Sequence, residues 1–188
     1  MAFIDHYKQA PIILERSVDL ESLKDTFIPK VFKERTWTKL LNLMGDVFED
    51  IIWEFLANAI VEGDHINYWL RGREFSVSRE PIQEVLEIWP TTLDTSLQYD
   101  EWKEKLEPFV EVLGEQLKKK ALHTIEFTIE MRALAYIMIF NLYPVKNLMA
   151  LLEPRIVFLY DLFTHKEIDI CDHIYHLSSR ASRRGLQG

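Results

Sequence analysis

The stretch from Trp53 to Ile88 constrains the fold of this chain more than any other part of the sequence. Apolar residues at helical spacing are followed by a short alternation of apolar and polar residues, and then by a second helical pattern. This order predicts a helix, a two-stranded hairpin and another helix in direct succession. A two-stranded ribbon is only marginally stable by itself, so the hairpin must pack against the neighbouring helices.

The first helix of this stretch is predicted to begin at Asp46 and to end at Gly63. Its apolar residues recur three and four positions apart, which gives a wide apolar face. Four polar residues fall at every fourth position and form a stripe along one side: Asp50, Glu54, Asn58 and Glu62. We therefore expect a helix that is buried on most of its circumference.

The hairpin is predicted from a first strand, His65–Leu70, and a second strand that contains Phe75 and Val77. Arg71 and Gly72 form the turn between them, because glycine adopts a positive φ at little cost. The side chains should alternate between the two faces of the ribbon.

Ser78 is the predicted N-cap of the following helix, since its hydroxyl can accept a backbone N–H of the first turn. The buried positions predicted for this helix are Ile82, Val85, Leu86 and Trp89. Further helices are predicted after Pro29, over residues 125–143, after Pro154, and over residues 168–181.

Hydrophobic residues make up 48% of the 188 residues, which is enough for a large core. We predict a mainly α fold, a single helical domain of about seven to nine helices with one small β-hairpin. The domain is expected to span residues 20–184, with an N-terminal arm of residues 1–19 before it and a frayed tail of residues 185–188 after it.

Charge and cysteine content limit the classes of function. The formal net charge of −8 disfavours general binding to a phosphate backbone, although a local basic patch could still provide it. The single cysteine, Cys171, excludes an intrachain disulfide and favours a reducing compartment. No apolar run is long enough to cross a bilayer. We expect an intracellular protein without a membrane partner, in the nucleus or in the cytoplasm.

The sequence contains no recognisable catalytic motif. Glycine-rich motifs for phosphates or dinucleotides are absent. The run Asp94-Thr95-Ser96 lacks the glycine of a retroviral-type aspartic protease. A two-metal nuclease needs carboxylates that converge on a strand-rich scaffold, whereas the many acidic residues here fall in predicted helices. We therefore predict that the chain is not an enzyme and binds no cofactor.

The best candidates for metal ligands are Cys171, His173 and His176, with His165 earlier in the chain. His173 and His176 are three residues apart and can share a helix face, but Cys171 points in another direction and has no second cysteine beside it. Polar residues on a partly exposed helix explain the group better, so no metal site is predicted.

Basic residues mark two places where another molecule could bind. Arg71 and Arg73 flank the hairpin turn, where an ion pair with Glu74 or Glu80 is favoured over a ligand contact. Arg180, Arg183 and Arg184 form a basic C-terminal segment that could contact phosphates. A third run, Lys118 to Lys120, is explained by the dipole at the end of a predicted helix.

Several phrases of the sequence occur in the order and spacing of a known family. They are TWTKLL at 36–41, EFLANA at 54–59, WLRGREFSVSREPIQEVLEI at 69–88, NLYP at 141–144 and FLYDLFTHKEIDICDHIYH at 158–176. On these phrases the chain resembles the plant transposon protein domain of retrotransposon-derived open reading frames. The hairpin and the helix after it are also similar to the plant mobile domain. The resemblance implies a mobile-element origin and a mostly helical fold, and it carries no catalytic residues.

Three functions are compatible with these observations. The favoured one is a non-catalytic, retroelement-derived structural or protein-interaction module, with self-association as one form of that interaction. The second is a protein associated with nucleic acid or chromatin, and the third, with least support, is a transposase or nuclease.

The five tryptophans are predicted to lie in the core: Trp37, Trp53, Trp69, Trp89 and Trp102.

Overall fold

Six α-helices and two antiparallel sheets make up the part of the chain that the computed structural model describes, residues 15–43, 45–88, 106, 109, 121–144 and 149–185. One sheet has three strands and the other has two. The fold is therefore mixed α and β, and the prediction of a mainly α domain with one small hairpin is wrong. Three of the five strands are only three residues long, too short for an alternation that a sequence pattern would reveal.

The helices and strands are numbered in chain order. The helices are α1 (Ile28–Glu34), α2 (Glu49–Asn58), α3 (Arg79–Leu86), α4 (Ile129–Ile137), α5 (Glu153–Phe163) and α6 (Ile170–Gly185). The strands are β1 (Ile60–Glu62), β2 (His65–Leu70), β3 (Arg73–Val77), β4 (Ala121–His123) and β5 (Ala150–Leu152).

Contacts divide the chain into two compact units. Among the described residues, unit 1 contains 45–88 and 169–185, and unit 2 contains 15–43, 106, 109, 121–144 and 149–168. The predicted arm of residues 1–19 lies outside the described residues up to position 14, and the predicted tail lies outside them from position 186.

Helix α2 is the first helix of unit 1 among the described residues. Glu49 and Asp50 stand in its first turn, where acidic side chains favour the positive end of the helix dipole. The helix ends at Asn58, five residues before the predicted end at Gly63, and the residues after it form strand β1. The β-branched side chains of Ile60 and Val61 suit an extended backbone, and the adjoining strand supplies the hydrogen-bond partners.

The three-stranded sheet of unit 1 has the order β1, β2, β3. All neighbours are antiparallel, and Tyr68 lies opposite Phe75 in the β2–β3 pair. The structure confirms the predicted hairpin and its turn, and it adds β1 on the other side of β2.

Helices α3 and α6 complete unit 1. α6 packs against α2, α3 and β1, and Ala59, Ile66 and Tyr175 form a buried cluster there. Ser78 occupies the predicted N-cap position of α3, but its hydroxyl donates to the Glu80 carboxylate and makes no cap bond.

The predicted buried face of α3 is only partly correct. Leu86 is buried and Ile82 packs against the core cluster of unit 1, whereas Val85 is 67% exposed. Trp89 lies outside the described residues.

Unit 2 contains α1, α4, α5 and the two-stranded sheet of β4 and β5. The predicted helix starts at Pro29 and Pro154 are confirmed, since each proline stands in the first turn of its helix. Short 3-10 helices cover Trp37–Leu41 and Thr124–Glu126, and a π-helical turn, Met138–Leu142, extends α4. The fully buried side chains include Ile28, Phe32, Leu122, Phe127, Met131, Leu134 and Tyr160.

Arg35 connects three segments of unit 2 through backbone carbonyls. Its guanidinium donates to the carbonyl oxygens of Val31 at 3.1 Å, Asp161 at 3.0 Å and Lys166 at 2.7 Å. Burial is the main influence on the Arg35 guanidinium and lowers its pKa. The fork of five N–H groups lets one side chain bond α1, α5 and the loop after α5.

Candidate interaction surface

The turn between β2 and β3 places two consecutive residues in the left-handed region. Arg71 has φ of 49° and Gly72 has φ of 76°. This is the backbone of a tight two-residue hairpin turn, whose twist matches that of the strands. Glycine adopts it without strain, whereas Arg71 needs support from its neighbours.

That support comes from the polar stripe of α2. Arg71 donates its backbone N–H to the Glu54 carboxylate at 2.8 Å and its guanidinium to Asp50 at 3.3 Å. One turn further along the helix, the side-chain oxygen of Asn58 accepts the backbone N–H of Trp69 at 2.8 Å. The sequence predicts this stripe as the polar side of a helix. No pattern in the sequence predicts that its side chains bond to strand β2.

Glu62 continues the same pattern from strand β1, since its carboxylate accepts a hydrogen bond from the Asn67 side chain at 2.9 Å. β1 pairs only with residues 65–67 of β2. Beyond that point side chains of α2 take the place of a neighbouring strand. On this side strand β2 is thus bonded by β1 at residues 65–67 and by Asn58 at Trp69.

The outer face of the three-stranded sheet exposes two large apolar side chains. Trp69 is 52% exposed and Ile60 is 50% exposed. Ile60 lies opposite Asn67, and Trp69 follows Asn67 by two residues on β2. The side chains of Ile60 and Trp69 are therefore diagonal neighbours on one face of the sheet. The prediction of a core position is therefore wrong for Trp69. It is confirmed for Trp37 and Trp53, which are buried, while Trp89 and Trp102 lie outside the described residues.

The inner face of the sheet carries a row of three aromatic rings. Phe55 of α2 meets Tyr68 edge to face with ring centroids 4.9 Å apart, and Tyr68 stacks on Phe75 at 5.5 Å. The row ends at Phe75 on the last strand, where 40% of the side chain is exposed. We use the name hairpin surface for the exposed residues of the outer face and of the β3 edge: Ile60, Trp69, Glu74, Phe75 and Ser76.

The two hairpin arginines have different surroundings. Arg71 pairs with Asp50, and both side chains are about two-thirds exposed or more, so this ion pair adds little stability. Arg73 is exposed and has no ion-pair partner among the residues that the structure describes. The predicted pairing with Glu74 or Glu80 is not present there. Glu80 instead accepts a hydrogen bond from Ser78, which lowers the pKa of its carboxyl group.

The three C-terminal arginines lie on helix α6, which continues to Gly185. Arg180 is exposed, and Arg183 and Arg184 follow it three and four positions later on the same helix. The helix therefore continues four residues beyond residue 181, where the sequence pattern predicted its end.

The candidate metal ligands have other partners. Cys171 is buried, and its thiol donates to the carbonyl oxygen of Ile88 at 3.7 Å. Burial raises the pKa of this thiol to about 11, with a further contribution from Asp169, which disfavours the thiolate that a metal requires. Over the described ranges, no group of three potential ligands is close enough to hold a metal ion.

The candidate histidines contact different partners and do not converge on one site. His176 binds the Asp172 carboxylate at 3.3 Å, and Asp172 also accepts a hydrogen bond from Arg79 at 2.9 Å. His165, in unit 2, pairs with Glu34 at 2.8 Å. His173 is partly buried on α6. These contacts connect α6 to α3 within unit 1, and α1 to the loop after α5 within unit 2.

Other predicted features lie outside the described residues. They are the run at 94–96, all five acidic residues between 101 and 115, and the lysines at 118–120. Within the described helices, none is long and apolar enough to span a bilayer.

Unit 2 contains a cavity of about 510 Å³ that no sequence motif indicated. Its walls are mainly apolar and include Leu23, Ile137 and Met149. Among its other lining residues, the guanidinium of Arg16 lies 3.8 Å from the centre of the Phe140 ring, and the Arg16 backbone N–H donates to the Asn141 side-chain oxygen at 2.9 Å. Such walls suit an apolar group better than a phosphate or a metal ion.

The origin of the chain is indicated by its similarity to a family of known sequences. Neither the curated proteins nor the solved structures gave a significant match. A family model described as "Putative plant retrotransposon-related domain" matches residues 33–187, which is most of the chain. This match confirms the resemblance that the sequence phrases indicated. The chain is therefore transposon-derived and belongs to the plant retrotransposon-related domain family.

Proposed function

We propose that this chain is a non-catalytic protein-interaction module of retroelement origin, which binds protein partners through the hairpin surface. The observation that carries this proposal is the position of Trp69. A tryptophan that is 52% exposed in the central strand of a sheet presents a large apolar area to water. Tryptophan is among the residues most enriched in the energetic centres of protein interfaces.

The surroundings of Trp69 favour binding because they fix the strand in advance. Strand β2 pairs with β3 on one side of Trp69, and on the other side the Trp69 backbone N–H donates to Asn58. A side chain on a rigid strand loses little conformational freedom when a partner covers it, so more of the interaction energy appears as affinity.

The composition of the face around Trp69 also resembles an interface. Ile60 enlarges the apolar area beside it, and polar Glu62, Asn67 and Glu74 surround the pair on the same face. An apolar centre with a polar rim is typical of protein interfaces.

The test compares protein capture by three forms of the immobilised chain in a nuclease-treated extract of the cells that express it. The forms are the wild type, Trp69→Ser, and Val85→Ser as a matched control at another exposed apolar position of unit 1. We expect proteins that the wild type and the control retain and that Trp69→Ser does not. Identical retention by all three forms contradicts the proposal. Thermal unfolding of each form checks that the fold is kept.

A second candidate function is binding to nucleic acid through helix α6. The observation that favours it is the continuation of this helix to Gly185, which places Arg180, Arg183 and Arg184 within its last two turns. The net charge of −8 and the engagement of Arg71 by Asp50 count against it. Phosphate binding releases counterions, so the affinity should fall steeply with salt.

The test of this second function is the affinity for a duplex DNA and for a single-stranded RNA at several salt concentrations. Arg180→Glu should weaken binding and reduce the salt slope by about 1 for each phosphate that the variant no longer binds. Lys33→Glu, at an exposed position of α1, changes the net charge equally and serves as the control. Equal effects of the two variants exclude a specific role for α6.

A further inference from the structure

Strand β3 forms one edge of the three-stranded sheet. It pairs with β2 on one side, and no other described strand pairs with its second side. Arg73, Glu74, Phe75 and Ser76 are all exposed. Natural proteins protect such edges with charged side chains, lysine above all, with proline or with a bulge. The charged residues of β3 are Arg73 and Glu74, both in its first half, and the strand contains no proline, lysine or bulge.

The backbone groups that point outwards can be deduced from the hydrogen bonds of β2. The N–H of Trp69 faces Asn58, away from β3, and groups alternate along a strand. The N–H and C=O of Tyr68 therefore face β3, and those of Phe75 opposite it face β2. It follows that Glu74 and Ser76 direct their backbone N–H and C=O groups to the outer edge.

We infer that the partner of this edge is the β3 strand of a second copy of the chain, in an antiparallel pair centred on Phe75. This inference rests on the proposed function and names one partner for the hairpin surface. In this register Glu74 of one copy lies opposite Ser76 of the other, and the two residues exchange both backbone hydrogen bonds. The two-fold axis repeats the exchange on its other side.

The aromatic row supports the register. Phe75 lies opposite Phe75 of the second copy in a pair without hydrogen bonds, which is where opposite side chains approach most closely. The row Phe55–Tyr68–Phe75 then continues into the second copy, and the exposed part of Phe75 is covered. Aromatic cross-strand pairs are among the stabilising contacts of sheets.

The two neighbouring registers are disfavoured, one by charge and the other by the length of β3. A pair centred on Glu74 places two carboxylates directly opposite each other, which is destabilising. A pair centred on Ser76 extends beyond β3 to Ser78, the residue before helix α3. The pair centred on Phe75 places no like charges opposite each other and uses the full strand from Arg73 to Val77.

The surface area that two such short strands can bury between them is smaller than the interface of a permanent dimer. Interfaces of this size belong to weak and transient complexes, with dissociation constants of roughly 10 μM to 1 mM. The association must therefore be measured at high protein concentration, by sedimentation equilibrium over this range. We expect the average mass of the wild type to rise above the 22.3 kDa of one chain.

Charge changes at Ser76 test both the edge and the register. Ser76→Lys places an ammonium group opposite Glu74 of the second copy, and Ser76→Glu places a carboxylate there. Because the pair occurs twice, we expect Ser76→Glu to weaken dimerisation about 3- to 30-fold and Ser76→Lys to strengthen it by a similar factor. The double variant Glu74→Lys with Ser76→Glu again places opposite charges in both pairs, so it should dimerise more strongly than the wild type, within about 3-fold of Ser76→Lys. These differences should shrink in high salt.

Two outcomes overturn the inference. One is a wild type that stays at 22.3 kDa over the whole range, and the other is an equal effect of Ser76→Lys and Ser76→Glu. Ser76 is exposed, so both variants should keep the fold, and thermal unfolding checks this. If the wild type is monomeric but still captures proteins through Trp69, the inferred dimerisation is wrong and the proposed function stands. Absence of both signals overturns the proposed function as well.

Discussion

The carboxylate of Glu54 accepts a hydrogen bond of 2.8 Å from the backbone N–H of Arg71, which links helix α2 to the tip of the hairpin seventeen residues later. Arg71 has a positive φ, so this residue is held in a conformation that it would rarely adopt alone. Together with the hydrogen bond between Asn58 and Trp69, the bond replaces a neighbouring strand with helix side chains. The strand that carries Trp69 is thereby held in place by its own chain.

Removal of the Glu54 acceptor should destabilise unit 1. We expect Glu54→Ala to lower the free energy of unfolding by about 1 kcal/mol, because the Arg71 N–H loses its protein partner. Glu54→Gln retains an oxygen acceptor and should cost less than half as much. Urea unfolding measures both variants. Equal stabilities for the two would show that the hydrogen bond contributes nothing.

The turn should require glycine at position 72. Gly72→Ala is expected to cost about 1–2 kcal/mol, since an L-residue is strained at a φ of 76°. A Cβ at position 72 meets no atom within 4 Å, so the cost comes from the backbone and not from a clash. Gly45→Ala is the control, because it also meets no atom and has no positive φ. Its effect should stay within about 0.5 kcal/mol in the same denaturation assay.

Arg35 should be irreplaceable by lysine. Arg35→Lys keeps the charge but cannot reach three carbonyl oxygens in different directions, so we expect stability to fall by about 2 kcal/mol. Lys33→Arg makes the opposite exchange at an exposed site two residues earlier and should change stability by less than about 0.5 kcal/mol. Chemical denaturation followed by tryptophan fluorescence suits this test, because the Trp37 ring lies 5.6 Å from the Arg35 guanidinium. A neutral Arg35→Lys would mean that one carbonyl hydrogen bond is sufficient.

Cys171 should give a specific dependence of stability on pH. Burial raises the pKa of its thiol from 9.0 to about 11. Below pH 9 the thiol is protonated in both states, and its contribution to stability is fully present. Between pH 9 and 11 the unfolded thiol ionises more readily, so the free energy of unfolding falls as pH rises.

Comparison with Cys171→Ala isolates this contribution from the other groups that titrate at high pH. The wild type should lose more stability than the variant between pH 9 and 11. A thiol-specific reagent at pH 8 should also react slowly with the folded chain and rapidly after unfolding. Parallel pH profiles, or rapid reaction in the folded state, would contradict the burial of this thiol.

Local backbone chemistry explains which features could be predicted from the sequence. The Arg71–Gly72 turn, the strands beside it and the helix starts at Pro29 and Pro154 depend on a few adjacent residues. Glycine and proline restrict the backbone in the same way in any surroundings. The family is likewise readable from short phrases, and the match over residues 33–187 confirms what they indicated.

Strands β4 and β5 could not be predicted, because each depends on a distant partner. A three-residue strand is stabilised by hydrogen bonds to its neighbour, and β4 finds that neighbour about 30 residues later in β5, so no local pattern indicates the pair. Strand β1 was missed for another reason, since its partner β2 follows directly after the turn at residues 63 and 64, but its three residues also fit the helical pattern that precedes them.

Local patterns also could not predict which side chains are buried, because burial depends on whether another element packs over the side chain. Periodicity and composition give the amount of apolar surface in a helix or strand, and five tryptophans therefore looked equally suited to the core. Packing covers Trp37 and Trp53 with other elements and leaves Trp69 on an open sheet face. The turn, the proline-started helices and the family follow from the residues alone, whereas the apolar surface that stays exposed follows from how those elements pack.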